Sequence, residues 1–83
     1  VHSLDKVKKL IEEKGANVNW KNVKHDDWTA FTFANYHNYI NTIKYLISTE
    51  NININLTNYK NGWSGFYYSC SWGRKEVVQI MLE

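Results

Sequence analysis

The sequence predicts an all-α fold: a helical repeat solenoid of stacked antiparallel helix pairs with protruding finger loops. Three observations predict it. Thr29, Ala30, Phe31, Thr32, Phe33, Ala34 and Asn35 are echoed 35 positions later by Ser64, Gly65, Phe66, Tyr67, Tyr68, Ser69 and Cys70, each stretch following a tryptophan, Trp28 or Trp63. Apolar residues recur at helical spacing in three segments set 36 and 35 positions apart, counted from Leu10 to Leu46 to Met81. Turn-forming residues punctuate the segments at matching places. A self-similar period in the thirties marks stacked supersecondary units, each too small to bury its apolar face alone.

Taken in order, Leu4, Val7, Leu10 and Ile11 form one helical stripe. Gly15 then closes that helix, because glycine adopts the left-handed conformation without steric cost. Asn17, Val18 and Asn19 begin a short alternation that runs into polar loop as far as Trp28, a pattern that suits an extended finger. Thr29 is an N-cap, its hydroxyl free to accept from the first turn of the next helix. Asn38 turns the chain into the stripe Ile40, Ile43, Leu46 and Ile47, which Asn51 closes. Asn53, Ile54 and Asn55 open the second finger, Ser64 caps the following helix, and Gly73 turns into Val77, Val78, Met81 and Leu82. The chain therefore divides into residues 1–19, the second half of a repeat; 20–55, a full repeat; and 56–83, most of a third.

Bulk properties set the bounds. With 83 residues there is room for one small domain, and 43% hydrophobic with 16% aromatic residues is too apolar for a disordered tail. A formal net charge of +2, with Lys and Glu interspersed, is too slight for a strong phosphate footprint, so RNA and DNA are not expected partners. No apolar run is long enough to span a membrane. The single Cys70 fits a reducing, intracellular setting, cytoplasmic or nuclear. Abundant Asn and absent Pro read as compositional bias.

The echoed stretches, with Gly73, Arg74, Lys75, Glu76, Val77 and Val78 and with Gly15, Ala16, Asn17, Val18 and Asn19, resemble the ankyrin repeat over nearly the whole chain. That pattern runs G-x-T-P-L-H-x-A-A, G-H, V-V-x-x-L-L and G-A-D-V-N. Departures are plain. Its proline is Ala30 and Gly65, which loses the pre-set angle at the first helical position. Its histidine is Thr32 and Tyr67, so the link to the capping hydroxyl is in question. Asp27 replaces its turn glycine, and the first finger is lengthened at positions 23–26. The resemblance implies a partner-binding face on the finger loops and the exposed side of the first helix of each pair. Carried over by position, it holds Lys21, Lys24, His25, Trp28, Tyr36, Tyr59, Lys60, Trp63 and Trp72, flanked by Val23, Asp26, His37, Thr57 and Ser71. Trp28 and Trp63, equivalent in the period, serve equally well as an inter-repeat stacking ladder.

Catalysis is not expected. His2, His25 and His37 have no partner at ligand spacing, so no metal or cofactor is implied. Asp26 and Asp27 are adjacent carboxylates in a loop without a pocket. Cys70 takes the second alanine-like position of its helix and is expected to be a buried small hydrophobe. Asn55, Leu56 and Thr57 match a glycosylation triplet that an intracellular chain never presents to the machinery. The expected function is a non-catalytic protein–protein interaction module. The alternatives are a structural spacer in a longer array and an aromatic-cage reader of methylated lysine built from Trp28, Tyr36 and Trp63 with Asp26 or Asp27. Because the chain opens in mid-repeat and stops on Glu83, Val77, Ile80 and Met81 are expected to await a neighbour, in a longer array or through self-association.

Overall fold

The computed structural model describes residues 4–58 and 62–82. These form five helices: α1 (Leu4–Glu12), α2 (Ala30–His37), α3 (Ile40–Ser48), α4 (Gly65–Ser71) and α5 (Lys75–Leu82). Helices α2 and α3 make one antiparallel pair, and α4 and α5 another stacked on it, while α1 packs against α3. The core is Phe31, Ala34, Ile43, Leu46 and Val77, with Val7, Ile11, Val18, Tyr39, Ile40 and Met81 among the half-buried residues around it.

Local chemistry explains the boundaries. Thr29 Oγ1 accepts from the Thr32 amide, and Ser64 Oγ accepts from the Tyr67 amide. In place of the missing histidine, the Thr32 hydroxyl itself lies 3.1 Å from the Thr29 hydroxyl, so the cap is still braced from inside the helix. Asn38 (φ 59°) and Gly73 (φ 62°) turn one helix into the next, and Gly15 (φ 67°) and Asn51 (φ 66°) close the segments after α1 and α3. Helix α1 is pinned to α3 by the Tyr45 hydroxyl, which donates to Glu12 Oε2 at 2.7 Å. That bond, reinforced by the carboxylate's charge, raises the phenol's pKa above its ordinary value.

The asparagines are more than compositional bias. Asn17 Oδ1 accepts from the Asn19 amide, and Asn53 Oδ1 from the Asn55 amide, giving the same local turn in both loops. Asn19 also clasps the next unit: its Nδ2 donates to the Asn51 carbonyl, and its Oδ1 accepts from the Asn53 amide at 2.7 Å.

The first finger is tighter than an extended hairpin. Among the described residues the only sheet-like pairings are the isolated bridges Asn22–Trp28 and Thr57–Ser64. The extra length of the first finger is taken up by a 3₁₀ turn over Val23–His25, capped by Asn22. Asp26 (φ 57°) and Asp27 (φ 63°) then sit in the left-handed region, where the matched position of the second finger holds Gly62 (φ 72°). Aspartate tolerates this conformation less well than glycine does. Asp27→Gly is therefore expected to raise stability by about 0.5 kcal/mol, or a Tm gain of roughly 2–4 °C for a domain of this size. Gly62→Ala is expected to lower stability by about 1 kcal/mol, and thermal melts of both variants check the pair.

Four positions differ from the plain reading of the sequence. Val77 does not await a neighbour: it is fully buried, because α5 leans onto α3 as well as α4. Leu10, matched to the wholly buried Leu46, is 53% exposed, because α1 meets α3 alone. Cys70 is exposed, since it lies at the position matched to Asn35, on the side of α4 turned away from α2. Gly65 is more than a lost proline. A Cβ built there would lie 2.9 Å from the Phe31 ring and 3.1 Å from Thr32 Cα, so the absence of a side chain is what lets α4 lie close on α2.

Candidate protein-interaction surface

Helices α2 and α4 and the residues flanking them carry one group of packed aromatic side chains. Trp28, just before the Thr29 cap, is half-buried, and its ring lies 4.9 Å from that of Tyr36 and 5.7 Å from that of Tyr68. Tyr68 meets Trp63 at 5.1 Å, Tyr36 at 5.4 Å and Trp72 at 5.7 Å. Tyr36 and Trp72 meet edge-to-face at 5.2 Å. These separations and tilts are those of attractive ring packing. The result is one continuous wall spanning both helix pairs, with Tyr68 buried at its centre and Trp72 (47%) and Tyr36 (38%) exposed.

Polar groups fix the wall. The Tyr68 hydroxyl accepts from Asn58 Nδ2 at 2.9 Å. Arg74, directly after the Gly73 turn, donates to the main-chain carbonyls of Asn35 and Tyr36 at the end of α2. Its guanidinium also lies over the Trp72 indole at 4.7 Å, a cation–π contact that holds the exposed ring in place. Arg74 thus ties the second helix pair to the first while orienting Trp72.

Trp28, Tyr36, Trp63 and Trp72 are therefore brought together through Tyr68. Trp28 and Trp63 do not stack face to face as equivalent rungs; Tyr68 stands between them. Three of the four basic residues expected on the face occupy the first finger: Lys21 is half-buried, while Lys24 and His25 are exposed in the 3₁₀ turn, whose His25 carbonyl accepts from the Trp28 amide. Tyr59 and Lys60 lie outside the described residues. Tyr68, Arg74 and Asn58 were not singled out from sequence. Tyr68 was visible only as part of the echo, and nothing local to Arg74 or Asn58 announces a bond to another segment.

Trp28 and Tyr36 touch ring to ring, whereas a cage for a quaternary cation needs rings spread around it. Among the described residues, no helix is long and apolar enough to cross a membrane.

Searches of curated proteins and of solved structures each found no match. A family profile, ankyrin repeats in three copies, matches residues 2–83. Capped first helices, left-handed turns at the pair junctions and stacking of one pair on the next agree with that match, and the chain belongs to the ankyrin repeat family.

Proposed function

We propose that this chain binds another protein through the wall headed by Trp72 and Tyr36, with Lys24 and His25 of the first finger at its rim. Ankyrin repeats are generally non-catalytic protein–protein interaction modules, and the finer assignment rests on one observation. Trp72 keeps nearly half its surface in solvent while Arg74, Tyr36 and Tyr68 fix its position. A large aromatic surface that is already ordered loses little entropy on binding, and Trp, Tyr and Arg dominate interface hot spots. Trp28 and Trp63, both half-buried, belong to the mortar more than to the contact surface.

Trp72→Ala is expected to weaken capture of the partner by about 30-fold, the equivalent of roughly 2 kcal/mol, while the melt stays within a few degrees of wild type. Titration of the partner recovered by the wild-type chain, together with circular dichroism, measures both. Undiminished affinity with an intact fold would overturn the assignment of this surface. As a structural spacer, the chain would lose nothing from Trp72→Ala.

A further inference from the structure

Beside the exposed Trp72 ring, the aromatic wall holds a cation with no anion to match it. The Arg74 guanidinium rests on the indole and donates to two neutral carbonyls, those of Asn35 and Tyr36. Among the described residues no carboxylate pairs with it. Glu76 is the nearest acidic residue in sequence, and Lys75, between the two, is a second cation. The carbonyl end of α2 offsets about half a charge at most, so a net positive charge remains. Arg74 is half-buried, and its bond to Tyr36 lies open to solvent.

This part of the wall stays open whichever unit stacks beside it. His37 holds the position matched to Trp72, with a helix pair stacked beyond it. Ser71 holds the position matched to Tyr36, with a pair stacked before it. Both are exposed. One more unit at either end therefore does not cover Trp72 and Tyr36.

A guanidinium fixed in advance loses little freedom on taking an anion, and its planar fork matches a carboxylate. The Trp72 and Tyr36 rings, tilted 73° to each other at 5.2 Å, make an apolar corner next to it. In an extended chain alternate side chains project on one side about 7 Å apart. That reach sets one against the corner and the other against the guanidinium, which lies 4.7 Å from the indole. We infer, resting on the reading of the wall as a protein-binding face, that its partner is an acidic segment. An Asp or Glu of that segment pairs with Arg74, while a large apolar side chain two positions away fills the corner between Trp72 and Tyr36.

The probe is a library of displayed random peptides of roughly twelve residues, selected on the immobilised 83-residue chain and counter-selected on Trp72→Ala. Peptides that depend on Trp72 are expected to be enriched in Asp or Glu two positions from Trp, Phe or Leu. For one such peptide, replacing its acidic residue by the amide is expected to weaken binding about fivefold. Against Arg74→Gln that loss is expected to vanish. If Arg74 only held Trp72 in place, Arg74→Gln would weaken the acidic and amide peptides alike and leave the fivefold difference. A readout on the wild-type chain needs no variant to fold: the acidic peptide shifts the Arg74 Nε–H signal, and the amide peptide does not. Trp72-dependent peptides without an acidic residue overturn this inference and leave the wall standing. A fivefold difference that survives Arg74→Gln, or an unmoved Arg74 signal, overturns it too. Peptides that bind Trp72→Ala equally well, or no selected peptide at all, overturn the wall along with it.

Discussion

Phe31→Ala is expected to lower stability by about 3–5 kcal/mol. A domain of 83 residues is worth roughly 4–12 kcal/mol in total, so one substitution of this size removes a large share. Phe31 is 2% exposed and fills the seam between α2 and α4. Opposite it stands Gly65, which has no side chain to move into the gap, and the Thr32 backbone beside it is held by the cap. A cavity that cannot collapse puts the loss at the upper end of the range. Phe66, the same residue type 35 positions on, is only half-buried, and Phe66→Ala is expected to cost about 1–2 kcal/mol. Urea denaturation of the two variants gives the comparison. Equal losses would show that the α2–α4 seam has no special weight.

That contrast shows where the sequence was legible. Features set by a residue and its chain neighbours were readable: the Thr29 and Ser64 caps, the left-handed turns at Gly15, Asn38, Asn51 and Gly73, and the replacement of a turn glycine by Asp27. The apolar stripes gave the helices and their order. A stripe identifies which face is apolar but not whether a neighbour covers it: Leu10 of the first stripe is exposed, Cys70, expected in the interior, is exposed, and Val77, expected to await a neighbour, is buried. Contacts between segments distant in sequence left little trace. Gly65 reads as a missing proline until Phe31 is seen 2.9 Å from its would-be Cβ. Arg74 reads as the polar start of a helix until its bonds to the Asn35 and Tyr36 carbonyls are seen. At the candidate surface, position in the period pointed to Trp28, Tyr36, Trp63 and Trp72. It could not show that Tyr68 joins them, because which rings touch depends on how the helices stack.

The junction between the helix pairs carries the second large effect. Asn35 and Ser69 are both fully buried, and the Ser69 hydroxyl donates to Asn35 Oδ1 at 2.6 Å while Asn35 Nδ2 donates to the Phe31 carbonyl at 2.9 Å. Asn35→Ala removes both bonds and leaves the Ser69 hydroxyl buried without its acceptor, at an expected loss of about 2–3 kcal/mol. Ser69→Ala removes one bond and leaves Asn35 Oδ1 unmatched, for about 1–2 kcal/mol. The double variant leaves neither partner stranded. Its loss is expected to fall short of the sum by about 1 kcal/mol or more, within the usual range for contacting polar residues. Additive losses in denaturant melts would mean that the bond does not couple the pairs. The denaturant slope m carries the rest of the argument. In a stacked repeat, stability divides into the units and the interfaces between them, and cooperativity lasts only while the interfaces are strong. If m falls in Asn35→Ala while the Arg74 bonds and Phe31 packing remain, the two pairs have begun to unfold separately. The buried Asn35–Ser69 bond would then be what makes α2, α3, α4 and α5 a single folding unit.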